Sequence, residues 1–176
     1  ASLRLLEEYG IEVMSAPARE IFRAAGAEVD DATMIVKADR GLIESAIASA
    51  KPHFTLTPVN PDRALIVGGD QIHFGLVSGA PNAHDIKGGR RSGNFEDYKK
   101  LMMLGQSFNV IHFFGNQTLA PNDLPANTRH LDTTFVNLTM TDKVFLSMSI
   151  GEGRVRDASR LTAIARGLTM EELAAS

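Results

Sequence analysis

Gly115-Asn116-Gln117 closes an apolar run, Val110 to Gly115, that reads as a β-strand. A side-chain amide at a strand end can donate to and accept from a bound molecule without adding charge. Asn116 and Gln117 are therefore candidate substrate-binding residues, although the same amides could simply satisfy backbone groups of the following loop. His84 is a third candidate, because an imidazole beside the Asp85 carboxylate can act as acid or base near neutrality. Consecutive strand residues point to opposite faces, so the pair need not touch, and a loop histidine bonded to backbone is the simpler reading. Arg90-Arg91 sits between glycines like an anion clamp, yet no P-loop lysine follows. A structural pair tying the loop to nearby carbonyls or carboxylates is favoured there.

Other chemistries lack their residues. The segment Asn127-Thr128-Arg129-His130-Leu131-Asp132 reads as helical, and Arg129 and Asp132 can pair on one face. His130 and Asp132 do not share a face. The histidines at 53, 73, 84, 112 and 130 show no ligand spacing, so no metal site is expected. There is no Gly-x-Ser-x-Gly elbow, and the chain contains no cysteine, which removes thiolate catalysis and disulfides.

The bulk properties narrow the class further. The 176 residues are 44% hydrophobic and 22% charged, which excludes wholesale disorder. A net charge of −3 argues against a dedicated nucleic-acid binder. No apolar run approaches the ~18 residues of a membrane span, and no secretory leader opens the chain. The start at Ala1-Ser2-Leu3, without methionine, suggests a trimmed segment of a soluble cytoplasmic protein.

The elements that must position these residues fall into three segments: 1–52, 53–93 and 94–176. The first reads as helices. Leu3, Leu6 and Tyr9 form a stripe stopped by Gly10. Ser15 caps a helix carrying Ala18, Ile21, Phe22 and Ala25. Asp39 caps another that ends before Pro52. In the second segment His53 to Thr57 alternates like a strand, and Ala64–Val67 and Gln71–Val77 suggest a β-hairpin around Gly68-Gly69-Asp70. Residues 78–93 look like loop. The third segment alternates. Asn94 caps a helix with Tyr98, Leu101, Met102 and Gly105 inside. A helix from Pro125 turns Leu131, Phe135 and Leu138 inward. Val144 to Ile150 is a strand. A helix carrying Val155, Ala158, Leu161 and Ile164 ends at Gly167, and Thr169 with Glu172 makes a capping box.

Alternating strands and helices imply a parallel α/β sheet. Ile111 and Phe113 share one strand face; Val110, His112, Phe114 and Asn116 share the other. Val144, Leu146, Met148 and Ile150 likewise oppose Phe145, Ser147 and Ser149. One purely apolar side and one mixed side suit a barrel, with helices over the first and a lumen lined by His112, Asn116, Ser147 and Ser149. The expected architecture is part of a (β/α)8 TIM barrel preceded by N-terminal helices and a β-hairpin. A complete barrel needs roughly 250 residues, so this one is incomplete.

Several short motifs occur together. Gly68-Gly69-Asp70-Gln71-Ile72-His73-Phe74-Gly75 is followed by Ser78-Gly79-Ala80-Pro81-Asn82, Gly88-Gly89-Arg90-Arg91, Asp97-Tyr98, Ile111-His112 and Gly115-Asn116-Gln117. Asp123 to Asp132, Thr141-Asp142-Lys143 and the opening Leu5 to Val13 complete the set. In this combination the chain resembles the N-terminal part of the trimethylamine methyltransferase family, over nearly its whole length.

The resemblance implies a (β/α)8 barrel and transfer of a methyl group from a methylated amine to the cobalt of a corrinoid (cobalamin) carried by a partner protein. Trimethylamine, as in methylotrophic methanogenesis, or glycine betaine and related quaternary amines would be substrates, and no cofactor would be bound directly by this chain. An amine is a poor leaving group, so the barrel's contribution is alignment with a strong nucleophile. The chain has no Trp and two Tyr, so a full aromatic cage for a quaternary cation is not visible in it. The segment alone is expected to be inactive and either marginal or a homo-oligomer. The rival reading is a truncated non-catalytic homologue serving as a structural or interaction module, whose open sheet edge would need a partner.

Overall fold

The computed structural model describes residues 1–147 and 150–175. The chain divides into two units, Ala1–Pro52 and His53–Ser176.

In the first unit, a helical turn α1 (Ser2–Arg4) continues through a wider turn, Leu5–Tyr9, braced by the Arg4–Glu8 ion pair. Gly10 ends it at φ +77°, where a Cβ would lie 2.5 Å from the Val36 carbonyl. Strand β1 (Ile11–Glu12) follows, then α2 (Ala16–Ala24), whose Ser15 hydroxyl accepts the Ala18 amide as expected of an N-cap. Next come β2 (Glu28–Asp30), β3 (Ile35–Lys37) and α3 (Arg40–Ser49), the last capped by Asp39. The three strands make an antiparallel sheet in the order β1-β3-β2 with Val36 buried at its centre. The all-helical expectation is thus corrected for this segment. Two- and three-residue strands are too short to show an alternating pattern, and their pairing partners lie far along the chain. Helix α2 also buries Arg19 rather than Ile21, which is exposed. Arg19 bonds Asp31 and the carbonyls of Val13 and Met14, so three local hydrogen bonds offset the water its charge loses on burial.

The second unit begins with β4 (His53–Leu56) and β5 (Leu65–Gly68), an antiparallel pair. The expected hairpin between 64–67 and 71–77 is replaced by this one. Strand β6 (Gly75–Leu76) instead pairs in parallel with β9 (Phe113–Phe114), which pairs in parallel with β10 (Val144–Phe145). Residues 82–92, read as loop, form a second hairpin from β7 (Asn82–Asp85) and β8 (Gly89–Ser92). Asp85 accepts the Lys87 and Gly88 amides across its turn, and Gly89 takes φ +62°. Polar, glycine-rich strands lack the apolar alternation that would reveal them.

Helix α4 (Phe95–Ser107) links β6 to β9, α5 (Arg129–Met140) links β9 to β10, and α6 (Glu152–Arg166) and α7 (Met170–Ala175) follow. The strand order β6-β9-β10 follows the chain, so each βα unit adds beside the last. This is an α/β arrangement; the described strands do not close a barrel. Expected strands 110–115 and 144–150 shrink to two paired residues each, with Met148 and Ser149 outside the described residues.

The core settles which face the helices cover. Phe114 is fully buried with Tyr98, Met102, Leu119 and Val136, and Leu76 and Phe145 pack against that cluster. Its register partners are Leu76 and Phe145, so this face, not that of Ile111 and Phe113, lies under α4 and α5. The face assignment from sequence is therefore reversed. Phe113 covers Gly75, where a Cβ would sit 2.4 Å from its ring. Ser147 lines a cavity with Leu138 and Thr162, on the helix side. His112 accepts the Phe74 amide through Nδ1 and lines a cavity with Arg63 and Lys143, away from Asn116 and Gln117. Alternation alone cannot say which side of a strand is covered when both carry phenylalanine.

Helix α5 is also turned. It starts at Arg129, after a turn at 126–128, not at Pro125. His130, Thr133, Thr134, Val136 and Asn137 are buried, while Leu131 and Phe135 are exposed and Leu138 half-buried. Polar groups point inward because partners wait there: Tyr98 for Asn137 and Asp157 for His130. In α6, Ala158 and Ala163 are buried and Val155 and Ile164 exposed. Gly167 ends α6 in the left-handed conformation, and Thr169 and Glu172 exchange both capping-box bonds as expected.

Where α5 ends, Lys143 is buried, and its Nζ donates to the carbonyls of Gly105 (2.9 Å) and Phe108 (2.7 Å) at the C-terminus of α4. Burial lowers its pKa below the ordinary lysine value. Next to it, Asp142 accepts from Gln106 and Asn60 and lies near Arg63. The Gln106 and Asn60 bonds hold its carboxyl below the ordinary value of 3.8. Its anionic form is favoured by folding, so the stabilisation is present above 3.8 and is lost as pH falls through the lower folded value. Asp142→Asn is expected to lower stability at neutral pH by up to ~1 kcal/mol, the range for a partly exposed carboxylate, with the difference vanishing in acid, once the pH lies below the lowered folded value. Urea midpoints measured at both pH values check this; an undiminished difference in acid would refute it.

Candidate functional site

Beyond their paired residues, β6 and β9 stay joined. The Gly79 amide donates to the Gln117 carbonyl at 2.7 Å, and the Ala120 amide to the Ala80 carbonyl at 2.8 Å. Gly115 permits the approach, since a Cβ there would meet Ser78 Cβ at 2.6 Å. Asn116 and Gln117 thus sit at the C-terminal strand ends, on a seam closed by backbone bonds. Polar side chains from the helices hold the seam. Tyr98 of α4 donates its hydroxyl to Asn137 Oδ1 (2.5 Å), and Asn137 Nδ2 of α5 donates to the Asn116 carbonyl (3.4 Å). Burial drives the Tyr98 hydroxyl pKa well above its ordinary value, so it remains a donor. Gln117 Nε2 lies 3.5 Å from Thr133 Oγ1, at the limit of a hydrogen bond.

Gln117 opens onto a cavity of about 200 Å³ shared with Ala126, Arg129, His130 and Arg154. His130 Nε2 is 3.0 Å from Asp157 Oδ2 on α6. A carboxylate only accepts, so the Nε2 proton points to Asp157 and Nδ1 faces away. That Nδ1 is buried and unpartnered, as is Arg129 Nε. Arg129 donates to the Leu124 carbonyl and Arg154 to that of Ala126. Among the described residues neither guanidinium has a carboxylate within ion-pair distance, and the expected Arg129–Asp132 pair does not form.

His84 lies elsewhere, exposed on β7 opposite Arg90. It lines a separate cavity of about 450 Å³ with Asp85, Arg91, Asp97, Leu101 and Thr118. Asp85 turns from His84 to Arg91 (2.5 Å), and Arg91 also reaches Asp97 (2.7 Å). The Gly88 amide and Arg91 lower the Asp85 pKa. Arg91 therefore ties the hairpin to α4. The structure brings Gln117 together with Arg129 and His130, and it separates all three from His84. Arg154 and Asp157 carry no sequence signal of their own, because they stand about one βα unit downstream of the residues they meet. No short-range spacing signals such a meeting. Among the described residues no group of three histidine or acidic side chains could hold a metal ion, and no helix is long and apolar enough to cross a membrane.

Consecutive βα units with a polar cluster at the strand ends define an α/β protein. The sequence model of the trimethylamine methyltransferase family matches residues 1–176, and the chain belongs to that family. It is 32% identical over 94% of its length to a glycine betaine methyltransferase of Desulfitobacterium hafniense strain Y51, of which it covers 34%. It is 38% identical over 74 residues to a trimethylamine methyltransferase MttB of Desulfitobacterium hafniense strain DSM 10664 / DCB-2, covering 42% of this chain and 15% of that protein. The chain thus spans about a third, or less, of the length of the curated relatives it matches.

Proposed function

We propose that this chain supplies the first βα units of a (β/α)8-barrel methyltransferase that moves a methyl group from a methylated amine to a corrinoid on a partner protein. The observation that carries the reading is the 32% identity to a glycine betaine methyltransferase, sustained along 94% of the chain. The chain-order strands and the polar cluster at their C-terminal ends are consistent with it. The corrinoid is the methyl acceptor and is a second substrate. This chain's own contribution is positional. Neutral amides at Asn116 and Gln117 orient the amine, and the Tyr98–Asn137 bond holds the Asn116 backbone still while the methyl group leaves.

The test is a methyl-transfer assay on the full protein with a reduced corrinoid protein, offering trimethylamine and glycine betaine separately. Formation of methylcobalt absorbance with either amine supports the reading. No transfer from either, under conditions where a family enzyme of known activity works, would overturn it.

A further inference from the structure

We infer that His112 is an acid-released latch on residues 69–74, the segment that leads from β5 into β6. The inference stands on this geometry and is independent of the methyl-transfer reading. The segment has no helix or strand of its own, and Ile72 and Phe74 leave 75% and 56% of their surface exposed, so little apolar burial holds it. Its anchors are two imidazoles. The His112 amide donates to the Phe74 carbonyl at 2.8 Å, and the Phe74 amide donates to His112 Nδ1 at 3.0 Å. The ring nitrogen thus takes the place of a strand carbonyl. It adds one rung before the β6–β9 ladder, whose first pair is Gly75 and Phe113. His73 bonds the Ile66 carbonyl of β5 through Nε2 at 2.7 Å. Among the described residues the only other hydrogen bond on 69–74 is a long one, from the Phe113 amide to the Phe74 carbonyl at 3.4 Å.

The two anchors answer differently to acid. A carbonyl only accepts, so His73 carries its proton on Nε2, and a second proton goes to Nδ1 and leaves that bond intact. His112 must keep Nδ1 bare. A proton there sets N–H against the Phe74 N–H, and the ring has no second acceptor to offer in that direction. The charged groups facing His112 do not restore the bond. Arg63, Lys143 and Asp62 share its cavity of about 150 Å³. Asp142, 3.5 Å from Arg63, is already engaged by Gln106 and Asn60. The His73 ring lies edge-on with its centre 5.7 Å from that of His112. Acid therefore places two like charges side by side where the Phe74 bond is being lost. The end at Phe74 is released, while His73 keeps the segment on β5.

The experiment follows amide hydrogen exchange of the full protein by mass spectrometry between about pH 7.5 and pH 5, the range in which imidazoles take up protons, with rates corrected for the intrinsic effect of pH. Protection in a peptide covering 69–75 is expected to fall roughly fivefold or more across that range, the worth of one hydrogen bond. A peptide from α4, Phe95–Ser107, should keep its protection. His112→Asn sets an amide oxygen near the place of Nδ1, an acceptor that does not titrate, and should hold 69–75 protected throughout. His73→Gln keeps a donor for Ile66 and should leave the pH dependence in place. Wild-type protection that stays flat, or a pH dependence that survives His112→Asn, would overturn the latch. Should His112→Asn fail to fold, histidine-selective ¹⁵N NMR of the wild-type protein decides. At pH 7.5 an unprotonated His112 Nδ1 supports the latch, and a protonated one refutes it.

Discussion

Phe114→Ala is expected to cost about 3–5 kcal/mol, the range for emptying a well-packed aromatic site. The ring is fully buried at the centre of the second unit, between Tyr98 and Met102 of α4 and Val136 of α5. The site can collapse little. Helix α4 already touches the ring along Gly105, where a Cβ would lie 2.6 Å from it. The helix backbone therefore stands close on one side and the paired strands on the other. Phe113→Ala is the matched control one residue away. That ring lies on the opposite face over Gly75 and is half-buried, so its loss should cost about 1–2 kcal/mol. Chemical denaturation of both variants decides the matter. A larger loss at 113 than at 114 would mean that the helices cover the other face.

The next largest effect is expected at Asn137. Asn137→Leu removes the acceptor of the buried Tyr98 hydroxyl and the donor to the Asn116 carbonyl in one step. Leaving a buried polar group unpaired costs ~1–3 kcal/mol, so a loss of about 2–4 kcal/mol is expected. Adding Tyr98→Phe should give back about 1–2 kcal/mol, because the phenol no longer needs a partner. A double variant as unstable as the sum of the two single ones would show that the hydroxyl and amide do not interact. On the proposed methyltransferase reading, Asn137→Leu in the full protein should also slow methyl transfer more than Tyr98→Phe does, since only the former releases the Asn116 backbone. Steady-state rates at saturating amine measure this difference.

Part of this architecture is legible in the chain because its signals are local. Ser15, Asp39, Asn94 and the Thr169–Glu172 box each satisfy amides three residues away, so the helix starts follow from residue type and spacing. The buried stripe of α4 is legible for a similar reason: Tyr98, Met102 and Gly105 recur at helical spacing and face the apolar core around Phe114. In α5 the same reasoning selects Leu131 and Phe135, and it fails. The inward face there carries Asn137 for Tyr98, 39 residues earlier, and His130 for Asp157, 27 residues later. A polar residue turns inward when a partner is already in place, and hydrophobicity along one helix cannot report that partner.

The candidate site divides along the same line. That Asn116 and Gln117 end a strand is written in Val110 to Gly115, and the family resemblance is written in the run of short motifs. The meeting of Gln117 with Arg129, His130 and Arg154 is not, because it depends on two successive βα units packing side by side. Strand faces were undetermined for a simpler reason. A period of two distinguishes two sides but does not say which one receives the helices, and Phe113 and Phe114 are equally apolar. Sequence alone determined the helix ends that carry a local cap, at Ser15, Asp39, Asn94, Gly167 and Thr169, since capping is settled within one turn of chain, whereas α5, without a side-chain cap, starts later than Pro125 suggests. Tertiary structure alone decided which faces are buried and which polar groups converge, since those choices are made by residues tens of positions apart, whose encounter only the packed fold brings about.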